Sequence, residues 1–371
     1  MATLLNDSDI IDRIFSHIDN KTTDLGEMVW REPVTNYLSE DRFKAEIELL
    51  KSTSVPFCPS AALPENGSYI ARKAAGTPLI VVRGEDGLVR AFINACRHRG
   101  MQVATDSGCA RAFVCPYHAW TYGLDGHLKH IPGKDGFPDL DPKEHGLVEV
   151  SASEKGGIVY VNQKGSIDSE ALENNPDFFL PEQKFFKQVG FLDDANWKLI
   201  AETSMEGYHI KSLHKKSFFP YGLDNINIVE TFGPCSRITF PFRRIKKLRD
   251  VNPEERNIDG LVTTVYQLFP NAQVSVLSKH SSLVILEPIS PTCTEHVVYQ
   301  LTNKKRMGIE ISLEEAERDA SFVRDSGLDE DRAAACAIQE SLASNANSHL
   351  TFGRFEKAIV HFHQNLTERL P

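Results

Sequence analysis

Residues 96–118 hold two short loops, Cys96-Arg97-His98 and Cys115-Pro116-Tyr117-His118, in the spacing C-x-H-x16-C-x2-H. This pattern constrains the fold more than any other because each loop mixes its ligand types. A zinc finger pairs Cys with Cys and His with His. One Cys and one His from each loop suit a two-iron, two-sulfide cluster. The thiolates of Cys96 and Cys115 then hold one iron, and the imidazoles of His98 and His118 hold the other.

The pattern resembles that of Rieske proteins. Those of respiratory complexes carry two further cysteines that close a disulfide across the loops. Met101 and Tyr117 stand at the corresponding positions, so no such disulfide can form. That fits the lower-potential clusters of ferredoxins and oxygenases. Gly100 and Gly123 suit tight loops in which N–H groups approach the bridging sulfides.

The 371 residues are enough for two or three domains. Lys plus Arg is 41 against 51 Asp plus Glu, a net charge of −10. Such an acidic chain is a poor binder of nucleic acid or of an anionic membrane. No apolar run approaches the roughly 20 residues that span a bilayer. The opening MATLLNDSDI lacks the basic and apolar regions of a signal peptide. Besides the two cluster cysteines, Cys58, Cys109, Cys235, Cys293 and Cys336 are scattered and odd in number. They are expected to be buried reduced thiols of a cytoplasmic protein.

Three segments emerge: 1–54 as an N-terminal helical segment packing on the catalytic part, 55–165 as the cluster domain, and 166–371 as the catalytic domain. In the first, Ile10, Ile11, Ile14, Phe15 and Ile18 recur at helical spacing behind Asp7, Ser8 and Asp9 as caps. A second helix is predicted over Ser39 to Ser52, with Phe43, Ile47 and Leu50 on one face. Residues 67–161 break into short β-type runs split by turns. Gly84-Glu85-Asp86-Gly87 is a hairpin turn, and 156–163 reads as the closing strand. After a polar linker (165–177), a helix is predicted over 197–213 and strands over 226–240, 261–269, 272–277, 282–287 and 295–302. Ser312 and Glu315 form a capping box for the next helix. Further helices are predicted over Glu330 to Ser344 and Phe355 to Arg369.

The segment 196–214, NWKLIAETSMEGYHIKSLH, holds His209 and His214, with Glu206 three residues before the first. On an ideal helix His214 lies about 140° round from His209. Both can meet one ion only if the helix opens. A third ligand must come from elsewhere, and Asp331 in LDEDRAAACAIQ is the best candidate, beside Asp329 and Glu330. Two imidazoles and one carboxylate form the facial triad of ferrous oxygenases.

Taken together, NWK, E-G-Y-H-x4-H, E-D-x7-Q and FGRFEKAIVHFH resemble, in order, the alpha subunit of Rieske non-haem iron oxygenases. The resemblance implies an α+β chain, with a small antiparallel β Rieske domain joined to a helix-grip-like catalytic domain (antiparallel sheet with helices). It implies one [2Fe–2S] cluster on Cys96, His98, Cys115 and His118, and one Fe(II) on His209, His214 and Asp331. It implies O2 as the cosubstrate. Glu206, where many members have Asp, is implied to bridge His209 to His118 of a neighbouring chain in a homotrimer. That Glu resembles the carnitine- and betaine-type monooxygenases. With no nucleotide-binding fingerprint in the chain, NAD(P)H is expected to be oxidised by a separate reductase, with or without a ferredoxin.

The expected reaction is mono- or dihydroxylation, or dealkylation, of a small organic, aromatic substrate. A non-aromatic, carnitine- or betaine-like substrate is the alternative, and an electron carrier using only the cluster is a remote one. Met205, Phe218, Phe219, Phe232, Val274 and Leu283 are candidate pocket walls. Arg237, Arg243 and Lys279 are candidate contacts for an acidic substrate. No aromatic cage for a quaternary ammonium stands out.

Overall fold

The computed structural model describes residues 4–173, 175–304 and 309–370. These form two compact units, Leu50–Pro181, and Met1–Leu49 together with Glu182–Pro371. The expected seams at 54/55 and 165/166 fall at other residues. The main-chain N–H of Gln163 donates to Lys51 O at 2.9 Å, and that of Phe178 to Gly156 O at 2.9 Å. These bonds tie both flanking segments into the smaller unit.

The chain opens with α1 (Asp7–Asn20), β1 (Trp30–Pro33), α2 (Thr35–Leu38) and α3 (Glu40–Ser52). Asn6, rather than Asp7, Ser8 or Asp9, caps α1: its side chain accepts from the N–H of Asp9, and the two aspartates occupy the first turn. Ile10, Ile11, Ile14 and Phe15 are buried against Ile228, Ile245, Ile258 and Val262. The helical spacing read from the sequence is therefore the packed face of α1.

The smaller unit contains β2 (Val55–Pro59), β3 (Ser68–Ala74), β4 (Thr77–Arg83), β5 (Val89–Ile93), β6 (Ser107–Cys109), β7 (Phe113–Val114), β8 (Thr121–Tyr122), β9 (Leu128–His130), β10 (Glu149–Lys155), β11 (Ile158–Asn162) and α4 (Ser169–Glu173). Seven strands make an antiparallel sheet in the order β2-β11-β10-β5-β4-β3-β6, and β7-β8-β9 make a second. The hairpin at Gly84–Gly87 joins β4 to β5, with Gly87 at φ +80°. Strand β11 lies between β2 and β10, so the segment read as the closing strand is interior to the sheet.

The larger unit continues with β12 (Phe185–Asp193), α5 (Trp197–Thr203), α6 (Ile210–Leu213), β13 (Ile228–Phe232), β14 (Cys235–Pro241), β15 (Val262–Leu268), β16 (Ala272–Val276), β17 (His280–Ser290), β18 (Cys293–Thr302), α7 (Leu313–Val323), α8 (Asp329–Leu342), β19 (His349–Phe352) and α9 (Lys357–Arg369). Its sheet is antiparallel in the order β12-β18-β17-β16-β15-β14-β13. The single run expected over 226–240 is a hairpin, β13 and β14, turning at Gly233. Strand β12 was not foreseen, because its apolar and charged residues do not alternate cleanly along FFKQVGFLD. Strands β1 and β19 pair antiparallel across more than 300 residues of sequence, beyond the reach of any local pattern.

The helix predicted over 197–213 is two helices, α5 and α6, with a break between. Gln273 on β16 donates to the carbonyl of Ala201 at 3.1 Å. Glu206 accepts from the N–H groups of Tyr208 and, at 3.2 Å, His209. Carbonyls and N–H groups that a continuous helix would pair internally are thus taken by side chains. Gly207 lies against Asn227, where a Cβ would come within 2.4 Å of the side-chain amide. The capping box at Ser312 and Glu315 is present. Between α7 and α8 the backbone passes through a π-helical turn, Arg324–Leu328. Such turns add a residue and re-aim the face that follows.

Among the described residues, no helix is long and apolar enough to cross a membrane. Of the cysteines read as buried thiols, Cys58 and Cys235 are buried, and burial pushes them up to about 12 and about 11. Cys293 and Cys336 are half-buried. Cys109 corrects the expectation: it lies on the edge strand β6 and is exposed.

Candidate metal centres

In the smaller unit the first Cys–His loop follows β5 and the second joins β7 to β8. The two are built alike. The N–H of Gly100 donates to Cys96 O at 2.8 Å, and that of Ala119 donates to Cys115 O at 2.9 Å. The N–H groups of Cys96 and Cys115 donate to Met101 O and Trp120 O, each at 2.8 Å. Gly100 (φ +78°) and Ala119 (φ +57°) are the left-handed residues of these turns. The second loop is therefore turned by Ala119, not by Gly123, which belongs to the β8–β9 hairpin.

Cys96 and Cys115 are buried in the core with Trp120, Tyr122, Phe113 and Leu128. His98 is half-buried and His118 exposed. Their rings lie 4.7 Å apart, and His98 stacks on Trp120 at 5.0 Å. The thiols thus lie in the core and the imidazoles nearer the surface. The hydroxyl of Tyr122 lies 3.2 Å from Cys96 Sγ and accepts from the N–H of Arg97 at 2.9 Å. Tyr122 was not read from the sequence; only its nearness to the second loop pointed to it. Met101 and Tyr117 are both exposed.

In the larger unit one ligand atom from each of His209, His214 and Asp331 lies within 4.8 Å of the others. His209 Nε2 is 3.4 Å and His214 Nε2 2.9 Å from Asp331 Oδ1. The break between α5 and α6 turns His209 toward His214, which the ideal-helix angle would have kept apart. Of the three acids at the start of α8, only Asp331 faces both rings. Asp329 pairs with Arg332 at 3.0 Å. Glu330, weighed only as an alternative ligand, accepts from His214 Nδ1 at 2.8 Å and from the hydroxyl of Ser217 at 2.5 Å. Glu206 binds Nδ1 of His209. Each imidazole is thus held by a carboxylate on one nitrogen and aims the other at the common point, the arrangement metal-binding histidines use.

Two atoms test the fit of a cation. His214 Nε2 and Asp331 Oδ1 are buried and make no hydrogen bond, although they face each other. A divalent ion taking a lone pair from each would satisfy both. Burial opposes charge on His209, but Asp331 and Glu206 outweigh it and lift that imidazole to about 10. The same contest raises His214 and holds Asp331 below the usual carboxylate range.

Of the expected pocket walls, Met205, Phe232, Val274 and Leu283 are buried, and Phe218 and Phe219 are half-buried. Phe218 packs on the centre. Its ring lies 4.8 Å from that of His214 and against Gly327, where a Cβ would come within 2.0 Å. The cations offered for an acidic substrate are engaged. Arg237 donates to Glu230 at 2.7 Å, Arg243 to Phe219 O at 3.1 Å, and Lys279 to Glu315.

Residues 53–149 match the Rieske [2Fe-2S] domain, and residues 187–371 match the ring hydroxylating alpha subunit (catalytic domain). The glycine betaine monooxygenase oxygenase subunit of Chromohalobacter salexigens is 38% identical over 160 residues, 41% of this chain and 36% of that one. The carnitine monooxygenase oxygenase subunit of Acinetobacter baumannii is 30% identical over 202 residues, 51% of this chain and 53% of that one. The chain thus spans about a third to a half of the length of these curated relatives. The quaternary ammonium Rieske monooxygenase CntA, solved with an inhibitor, shares the fold at a TM-score of 0.80 and 21% identity, with each chain covered in full. The chain belongs to the family that joins a Rieske [2Fe-2S] domain to a ring-hydroxylating alpha-subunit catalytic domain.

Proposed function

We propose that this chain is the terminal oxygenase component of a Rieske non-haem iron oxygenase. The observation that carries the reading is the convergence of His209, His214 and Asp331, with two buried ligand atoms left unpaired, in a chain that also bears the mixed Cys–His loops. Cys96, His98, Cys115 and His118 would hold the cluster, and His209, His214 and Asp331 the single iron. Iron held by two imidazoles and a carboxylate keeps coordination positions free for O2 chemistry.

The chain's own groups then divide the work. Glu206 fixes His209 through Nδ1, and Glu330 with Ser217 fixes His214. Glu206 also serves as the electron bridge to His118 of a second copy, in a head-to-tail homotrimer that closes as a ring. A separate reductase, with or without a ferredoxin, supplies electrons from NAD(P)H.

The substrate is a small organic molecule. The names of the relatives and Glu206 favour a quaternary ammonium compound that is monooxygenated and dealkylated. The description of the matched catalytic domain favours an aromatic ring. Oxygen uptake with a surrogate reductase, over glycine betaine, carnitine and a panel of aromatics, separates the two. Labelled O2 then places one atom in a dealkylation or hydroxylation product, or two in a cis-diol. About three irons per chain is expected, two for the cluster and one for the triad. Two irons and no substrate-stimulated uptake would leave an electron carrier and overturn the reading.

A further inference from the structure

Among the parts of the family-like pattern that supply no metal ligand are Asn196-Trp197-Lys198, and Gln339, eight residues after Asp331. The structure joins them. The main-chain N–H of Asn196 donates to Gln339 Oε1 at 2.9 Å. Asn196 also caps α5, its Oδ1 accepting from the N–H of Lys198 at 3.0 Å. Its Nδ2 donates to Tyr37 O at 3.1 Å and Pro291 O at 2.8 Å. Asn196 is 2% exposed and Gln339 6%.

The three ligands come from two stretches far apart in sequence. His209 and His214 follow α5, and Asp331 rides on α8. Sliding α8 by one residue moves Asp331 about 1.5 Å along the axis and turns it about 100°. Either change takes Oδ1 away from both Nε2 atoms. Next to Asp331, Arg332 grips Asp193 through Nε at 2.9 Å and Nη2 at 2.7 Å. That guanidinium is long and partly exposed, so it can follow a small slide. Gln339 instead accepts from a main-chain N–H fixed at the start of a capped helix.

We infer that Gln339 is a positioning residue for the mononuclear metal centre, setting the register of α8 against α5 through its hydrogen bond to Asn196. The inference rests on the reading of His209, His214 and Asp331 as iron ligands. It is tested on the full-length, iron-loaded protein by chasing the third iron with a ferrous chelator while the visible spectrum follows the cluster.

Gln339→Leu removes the acceptor. It should release the third iron about tenfold faster with the cluster spectrum unchanged. Gln339→Glu keeps an oxygen in place and should restore slow release. Leu342→Ala, a buried truncation on the same helix, should lower the melting temperature without hastening release. Wild-type release from Gln339→Leu, or equal acceleration by Leu342→Ala, overturns the inference. If Gln339→Leu does not fold, Gln339→Asn, one methylene short of Asn196, takes its place with the same outcomes. A wild type with only two irons sinks the metal-centre reading and the inference with it. Three irons with unchanged release in the variants sinks the inference alone.

Discussion

Glu206 joins main chain to ligand: one carboxylate takes the N–H groups of Tyr208 and His209 together with His209 Nδ1. Because His209 is also fixed as the N-cap of α6, its carbonyl accepting from the N–H of Leu213 at 2.9 Å, Glu206→Ala should leave both metals bound, by iron count and cluster spectrum. Reoxidation of the reduced cluster by O2 in the presence of substrate should nevertheless be lost. Turnover at the wild-type rate would remove the bridging role. In the other unit, the Tyr122 hydroxyl beside Cys96 Sγ would donate to a cluster-bound thiolate and stabilise electron density there. Tyr122→Phe should lower the cluster potential by on the order of 50 mV, one hydrogen bond's net contribution, in a redox titration. The two Cys–His loops and the His209/His214 pair were legible because each is a short motif whose spacing reflects local backbone, whereas Asp331 was one of three adjacent acids. Glu330 and Tyr122 were not legible, since their partners are ring nitrogens and sulfurs supplied by other loops.

At the level of elements, the break between α5 and α6 decides whether two histidines five residues apart can share an ion. Sequence periodicity ran straight through it, because the groups that break the helix include Gln273 from a strand some seventy residues on. The residue that precedes the C-terminal helix α9, Glu356, is a second electrostatic feature. Burial, helped by the nearby charges of Glu206 and Glu202, pushes Glu356 up to about 7 while its side chain accepts from the N–H of Gly353. A carboxyl raised on folding binds its proton more tightly in the native state. Its contribution is therefore full below about 4.5, the ordinary Glu range, and is lost as pH rises through about 7. Chemical denaturation across this window should show Glu356→Gln with a flatter decline than the wild type. An unchanged slope would mean that Glu356 titrates as it does unfolded.

Across the larger unit, a buried ion pair fastens the N-terminal segment to the catalytic core. Lys198 Nζ donates to Glu46 at 2.7 and 2.9 Å, Trp197 Nε1 to the same carboxylate at 2.8 Å, and Arg42 Nε at 3.0 Å. Lys198 is fully buried, and burial lowers its pKa. Glu46→Leu strands the ammonium and should cost about 3–5 kcal/mol in urea unfolding. Adding Lys198→Met should recover most of that loss, because a buried pair is worth far less than a buried single charge costs. A double variant as unstable as the single one would place the energy in packing instead.

The sequence by itself determined the chemistry: which thiols, imidazoles and carboxylates are present, the amphipathic face of α1, the hairpin at Gly84–Gly87 and the capping box at Ser312. Each depends on residues within a few positions of one another, so local backbone geometry is enough to read it. Only the tertiary structure decided which of Asp329, Glu330 and Asp331 faces the histidines, where α5 stops, and how α8 is registered against it. Those outcomes turn on hydrogen bonds and packing between segments up to some 150 residues apart, and no local spacing encodes them.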